Sequence, residues 1–95
     1  MIRKTDANHK TIIDQLRRIP GISVFSTHTI GKGFPDIVTG YKGSNYLFEI
    51  KDGTKVKSAQ KLTEDEVKFH TKWNGQINII TTFEEAITIM GVTLR

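Results

Sequence analysis

Three residues carry chemistry by type and spacing: Asp36, Glu49 and Lys51. Asn45–Lys51 reads as a strand, with Tyr46, Phe48 and Ile50 on one face and Leu47, Glu49 and Lys51 on the other. That places a carboxylate and an ammonium about 7 Å apart on one surface. Asp36–Tyr41 reads as a second strand, joined to it through Lys42-Gly43-Ser44. Closing the hairpin on Gly43-Ser44 pairs Lys42 with Asn45 and sets Val38 opposite Glu49 and Asp36 opposite Lys51. Asp36 is then diagonal to Glu49 on the same face, whereas a slip of one residue would separate them. Two converging carboxylates suit a hard divalent cation, Mg²⁺ or Mn²⁺, completed by water. A lysine beside them can orient or deprotonate an attacking water and neutralise developing phosphoryl charge, which is equipment for phosphodiester hydrolysis. The other reading is a solvated strand face with an ordinary Asp36–Lys51 pair. Against it stand the constrained Gly33-Phe34-Pro35 approach to Asp36 and the apolar residues Ile37, Val38, Leu47, Phe48 and Ile50 around the cluster.

The elements that must position these residues follow from periodicity. Ile12, Ile13, Leu16 and Ile19 form an apolar stripe over residues 7–19, ended by Pro20-Gly21. Ile22–Ser26 reads as a strand, and residues 28–34 as a glycine-containing loop. Residues 52–61 read as a mobile, lysine-rich surface loop. Thr63-x-x-Glu66 and Thr82-x-x-Glu85 match capping boxes opening helices to about Trp73 and to Gly91, with a strand at Ile77–Thr81 between them. The expected fold is a single α/β domain over residues 1–95, a mixed sheet flanked by helices.

Composition agrees with one small domain. The chain has 95 residues, 37% hydrophobic and 25% charged, with no cysteine, so disulfides and thiolate chemistry are excluded. Its +4 net charge favours a polyanionic partner only weakly. No apolar run is long enough for a membrane span, and MIRKTDANHK lacks the apolar stretch of a secretory signal, which predicts an intracellular chain.

Gly33-Phe34-Pro35-Asp36 followed by Glu49-Ile50-Lys51 resembles the PD-(D/E)xK nuclease signature. More narrowly, the chain resembles the virus-type replication–repair nuclease (VRR-NUC) domain of small stand-alone phage and prophage proteins. The flanks agree over essentially the whole chain: a leading helix, a glycine loop, G-x-P-D, the hairpin, E-x-K-D-G, a lysine-rich loop, and a helix from Leu62-Thr63 with Trp73 near its end. The resemblance implies a restriction-endonuclease-like fold and Mg²⁺- or Mn²⁺-dependent DNA endonuclease activity. It also implies structured, Holliday-junction-like substrates, a homodimer, and action in the cytoplasm of a bacterial host. Asp36, Glu49 and the Ile50 backbone carbonyl would be the metal ligands, with Lys51 at the reacting centre. The family's usual first-helix Glu is missing. Asn8 is best placed to stand in for it, and Asp6 could do so if it is not the helix N-cap. Glu66 stands where the family brings a polar residue to the site; its other role is the capping box.

His28 precedes the glycine loop and is a candidate for phosphate contact or proton transfer, or else is structural. His70 would partner Glu66, and His9 would be solvated. Lys32, Lys55, Lys57, Gln60 and Lys61 are candidate DNA contacts, or else a solvated charged surface. Trp73 and the other aromatics are expected at core spacings rather than in a stacking platform. The competing functions are a non-catalytic nucleic-acid-binding module and a purely structural interaction domain.

Overall fold

The computed structural model describes residues 7–94, so Asp6 lies outside the described residues. Helix α1 spans His9–Arg17 and buries His9, Ile12, Ile13 and Leu16. It stops two residues short of Ile19 because Pro20 has no N–H and Gly21 turns the chain at φ +90°. Strands β1 (Ile22–Ser26), β2 (Ile37–Tyr41) and β3 (Ser44–Ile50) form an antiparallel meander, and β4 (Asn78–Ile80) adds parallel to β3. The sheet order is β1-β2-β3-β4. A parallel neighbour requires a crossover, which helix α2 (Glu64–Lys72) provides. Helix α3 (Phe83–Met90) ends at Gly91, left-handed at φ +75°. This is the expected single-domain α/β architecture, a four-stranded mixed sheet flanked by three helices.

The hairpin register differs from expectation by two residues. Tyr41 pairs with Ser44, Val38 with Leu47 and Ile37 with Phe48. The turn is Lys42-Gly43, with φ +48° and +82°. Positive φ at both central residues gives the type I′ turn, whose twist matches the flanking strands, and this favours the tighter loop over Gly43-Ser44. Because side chains alternate with period two, a two-residue shift leaves every residue on its expected face. The ladder ends at Ile37–Phe48, and the Asp36 N–H turns to the Phe48 carbonyl instead of extending it.

One face of the sheet carries the core. Phe48, Ile50, Ile37 and Ile80 are almost fully buried against Ile12, Leu16, Ala86 and Met90. Each large apolar side chain buried this way stabilises the fold by about 2 kcal/mol. The residues after β3 are more ordered than the expected mobile loop. Asp52 Oδ1 accepts from the Thr54 N–H and hydroxyl, and Lys57–Gln60 forms one 3-10 turn. No helix among the described residues is long and apolar enough to cross a membrane.

Candidate functional site

Asp36 is held by its neighbours before any ligand is considered. The Thr27 N–H donates to the Asp36 carbonyl, and the Thr27 hydroxyl donates to the carbonyl of buried Pro35. The Asp36 N–H donates to the Phe48 carbonyl, while the Ile50 N–H donates to Asp36 Oδ2 at 2.8 Å. Gly33 explains the preceding turn. At φ +80°, a Cβ there would lie 2.1 Å from the Asp65 carbonyl oxygen. Only glycine lets the loop rest on the first turn of α2. Phe34 meets Phe69 edge-on at 5.3 Å and reinforces the same contact. The G-x-P-D segment thus brings the Asp36 strand and the Glu66 helix together.

Glu49, Lys51 and Glu66 converge there from two elements. They are 2%, 9% and 4% exposed. Lys51 Nζ lies 2.9 Å from Glu66 Oε1 and 3.8 Å from Glu49 Oε2. The same Glu66 Oε1 accepts from the Thr63 N–H at 2.8 Å, and the Thr63 hydroxyl accepts from the Glu66 N–H. Glu66 therefore serves the capping box and the charge cluster at once. Two buried carboxyl groups beside one ammonium resist ionising together. Burial pushes the Glu49 carboxyl up to about 10, reinforced by Asp36 and Glu66 beside it. Burial also acts to raise Glu66, but its hydrogen bonds from Lys51, Thr63 and protonated Glu49 outweigh that and hold it below the ordinary carboxylate range. The ligand-free cluster thus keeps a proton on Glu49 and a charge on Glu66.

Glu49 Oε1 is buried and meets no donor among the described residues. A buried acceptor without a partner costs free energy, and a cation would satisfy it. Among the described residues no group of three or more His, Cys, Asp or Glu side chains is disposed to hold a metal. Glu66 is already engaged by Lys51 and Thr63. The donors that the sequence resemblance implies, Asp36, Glu49 and the Ile50 carbonyl, would leave Glu66 on Lys51 and Thr63.

The other candidates divide. Asn8 reaches the site's edge, donating from its side-chain amide to the Lys51 and Thr81 carbonyls at 3.0 Å each. It ties the ends of β3 and β4, and its Oδ1 is buried without a partner among the described residues. His28 bonds Ser26 through Nδ1 at 2.9 Å and packs edge-on against His9. His9 is buried rather than solvated, because α1 turns it against the His28 ring. His70 has its Nε2 buried with no hydrogen-bond partner among the described residues. Burial lowers its pKa, with Glu66 opposing and Lys51 assisting. Lys32, Lys55, Lys57 and Lys61 are exposed. Gln60 donates to the Lys55 carbonyl at 2.5 Å, bracing the loop.

The aromatic residues depart most from expectation. Phe69 stacks on Trp73 at 5.1 Å with rings 19° apart, and Phe34 extends the series. The Phe69–Trp73 half was visible as an i, i+4 pair, whereas Phe34 is distant in sequence. No family model, curated protein or solved structure matches the chain.

Proposed function

We propose that this protein is a Mg²⁺- or Mn²⁺-dependent endodeoxyribonuclease that hydrolyses phosphodiester bonds in branched or structured DNA, such as a Holliday junction. The observation that supports it is the buried, donorless Glu49 Oε1 facing Asp36, with the Lys51–Glu66 pair alongside. A purely structural sheet face gains nothing from a buried carboxyl with an unpartnered oxygen, which costs free energy. In this reading Asp36, Glu49 and the Ile50 carbonyl would hold the cation, which would supply Lewis-acid polarisation of the phosphate and of the attacking water. Asp36 is fixed in place by the Ile50 N–H. Lys51 Nζ orients the water for attack on phosphorus and stabilises the added negative charge as the P–O bond breaks. Glu66 Oε1 holds Lys51 Nζ in place at 2.9 Å. The wider reading, a homodimer encoded by a phage or prophage and acting in the bacterial cytoplasm, follows from the sequence resemblance.

Asn8 favours a second reading, a nucleic-acid-binding module without catalysis. Its amide is committed to two backbone carbonyls and adds no charge where the family carries Glu. One assay separates the two. Branched, single-stranded and duplex DNA are incubated with Mg²⁺, Mn²⁺ or EDTA, alongside Asp36→Asn. Metal-dependent cleavage lost in Asp36→Asn is expected. Salt-sensitive binding with no cleavage of any substrate would overturn the nuclease reading in favour of the binding module.

A further inference from the structure

A groove beside α2 is formed by residues that the metal-site reading does not use. Lys32, Lys68, Phe69, Lys72 and Trp73 line a space of about 270 Å³. Lys68 and Lys72 are one helical turn apart, as are Phe69 and Trp73, so ammonium groups and rings run side by side along the helix. Phe69 and Trp73 are nearly parallel, and the indole remains 43% exposed. Lys32 arrives from the opposite wall, at φ +56° between Gly31 and Gly33 at +82° and +80°. A lysine rarely adopts this conformation, and here it carries the ammonium to the groove while Gly33 rests on α2. Among the described residues no acidic side chain lines the space. Glu64 touches Lys68 at 3.4 Å, both groups being exposed and the pair therefore weak.

We infer that this groove takes an unpaired nucleotide of a nucleic-acid strand, its base against the Trp73 indole and its flanking phosphates on Lys32, Lys68 and Lys72. The charge selects a polyanion, and the flat exposed ring selects a base over a bare phosphate. Trp73 follows Glu66 by seven residues, so the stacked base would lie about two helical turns, roughly 10 Å, from the Lys51–Glu66 pair. As a statement about the nuclease's substrate, the inference rests on the proposed function. It then favours DNA carrying unpaired bases, since a ring cannot reach a base stacked inside a duplex.

Trp73 is the chain's single tryptophan, so its emission reports on the groove without any substitution. The intact protein in EDTA is titrated with an oligothymidylate of about twelve nucleotides, with a duplex of equal length, and with inorganic polyphosphate as a base-free polyanion. Quenching by the single strand, much weaker quenching by the duplex and none by polyphosphate is the expected result. By anisotropy of a labelled single strand, Trp73→Ala should lose about ten-fold in affinity and Trp73→Phe much less. Lys32→Gln and Lys72→Gln should each reduce the salt slope by roughly 0.7. Unchanged emission on binding, or equal quenching by polyphosphate, overturns the inference. If DNA is nevertheless cleaved with metal, the nuclease reading survives that failure. Selective quenching without cleavage of any DNA keeps the groove and rejects the nuclease.

Discussion

Glu49→Gln should stabilise the ligand-free protein while abolishing its proposed activity. The buried carboxyl holds its proton up to about pH 10, against 4.5 for an ordinary glutamate. Between those values the folded chain binds one more proton than the unfolded chain, so stability falls as pH rises, by up to about 1.4 kcal/mol per unit. From pH 7 to 9 that slope amounts to up to about 3 kcal/mol, or about 15 °C in Tm for a domain of this size. Glutamine has the shape of the neutral acid and does not titrate, so its curve should stay flat. The window from pH 7 to 9 isolates the effect. Glu66, Asp52 and Glu85 are shifted down, so their contributions are complete above the ordinary carboxylate range and are lost only in acid. His70 is also shifted down, and its effect is complete above about pH 7. The assay is thermal unfolding of both proteins in EDTA at several pH values, repeated with Mg²⁺. Wild type should lose Tm with rising pH and regain it with metal, while the variant does neither. Parallel Tm–pH curves for the two proteins would refute a protonated Glu49.

Lys51→Ala should lower stability by about 3 kcal/mol, because it leaves Glu66 charged, buried and without its cation. Adding Glu66→Gln should recover most of that loss in denaturant melts, and additive losses would contradict the pairing. Gly33→Ala should cost more than 2 kcal/mol by the same measurement, since its Cβ would overlap the Asp65 carbonyl at a strained φ. The Lys55, Lys57 and Lys61 triple change to Gln should leave Tm within a few degrees, because all three are exposed. It should weaken DNA binding and flatten its salt dependence; an unchanged slope would remove these residues from the interface.

What the sequence made visible was local, and what it hid was distant. The two capping boxes connect residues three apart, so Thr63–Glu66 and Thr82–Glu85 could be recognised as short patterns. The faces of β3 follow from alternation alone and survived a misplaced turn. The turn itself was misread because Lys42 occupies a positive φ that its residue type does not advertise. Burial of His9 depends on His28, and the ring series depends on Phe34 of the glycine loop meeting Phe69 of α2. No periodicity encodes such encounters. Glu66 was recognisable as a carboxylate on an apolar stripe, but its contact with Lys51 needed the crossover to be folded.

That crossover has a consequence for the order of folding. Asp36, Glu49 and Lys51 belong to one tight hairpin, whose contacts span few residues and close in about microseconds. Glu66 arrives only when α2 docks and β4 pairs in parallel with β3, a slower step because a longer segment must first be closed into a loop. Before docking, Glu49 lies in water and is ionised at neutral pH. Docking of α2 buries it and forces it to take up a proton, so the final folding step should consume hydrogen ion from solution. The site's electrostatics would then be a late product of chain assembly, absent from the half-folded hairpin that already contains three of its four side chains.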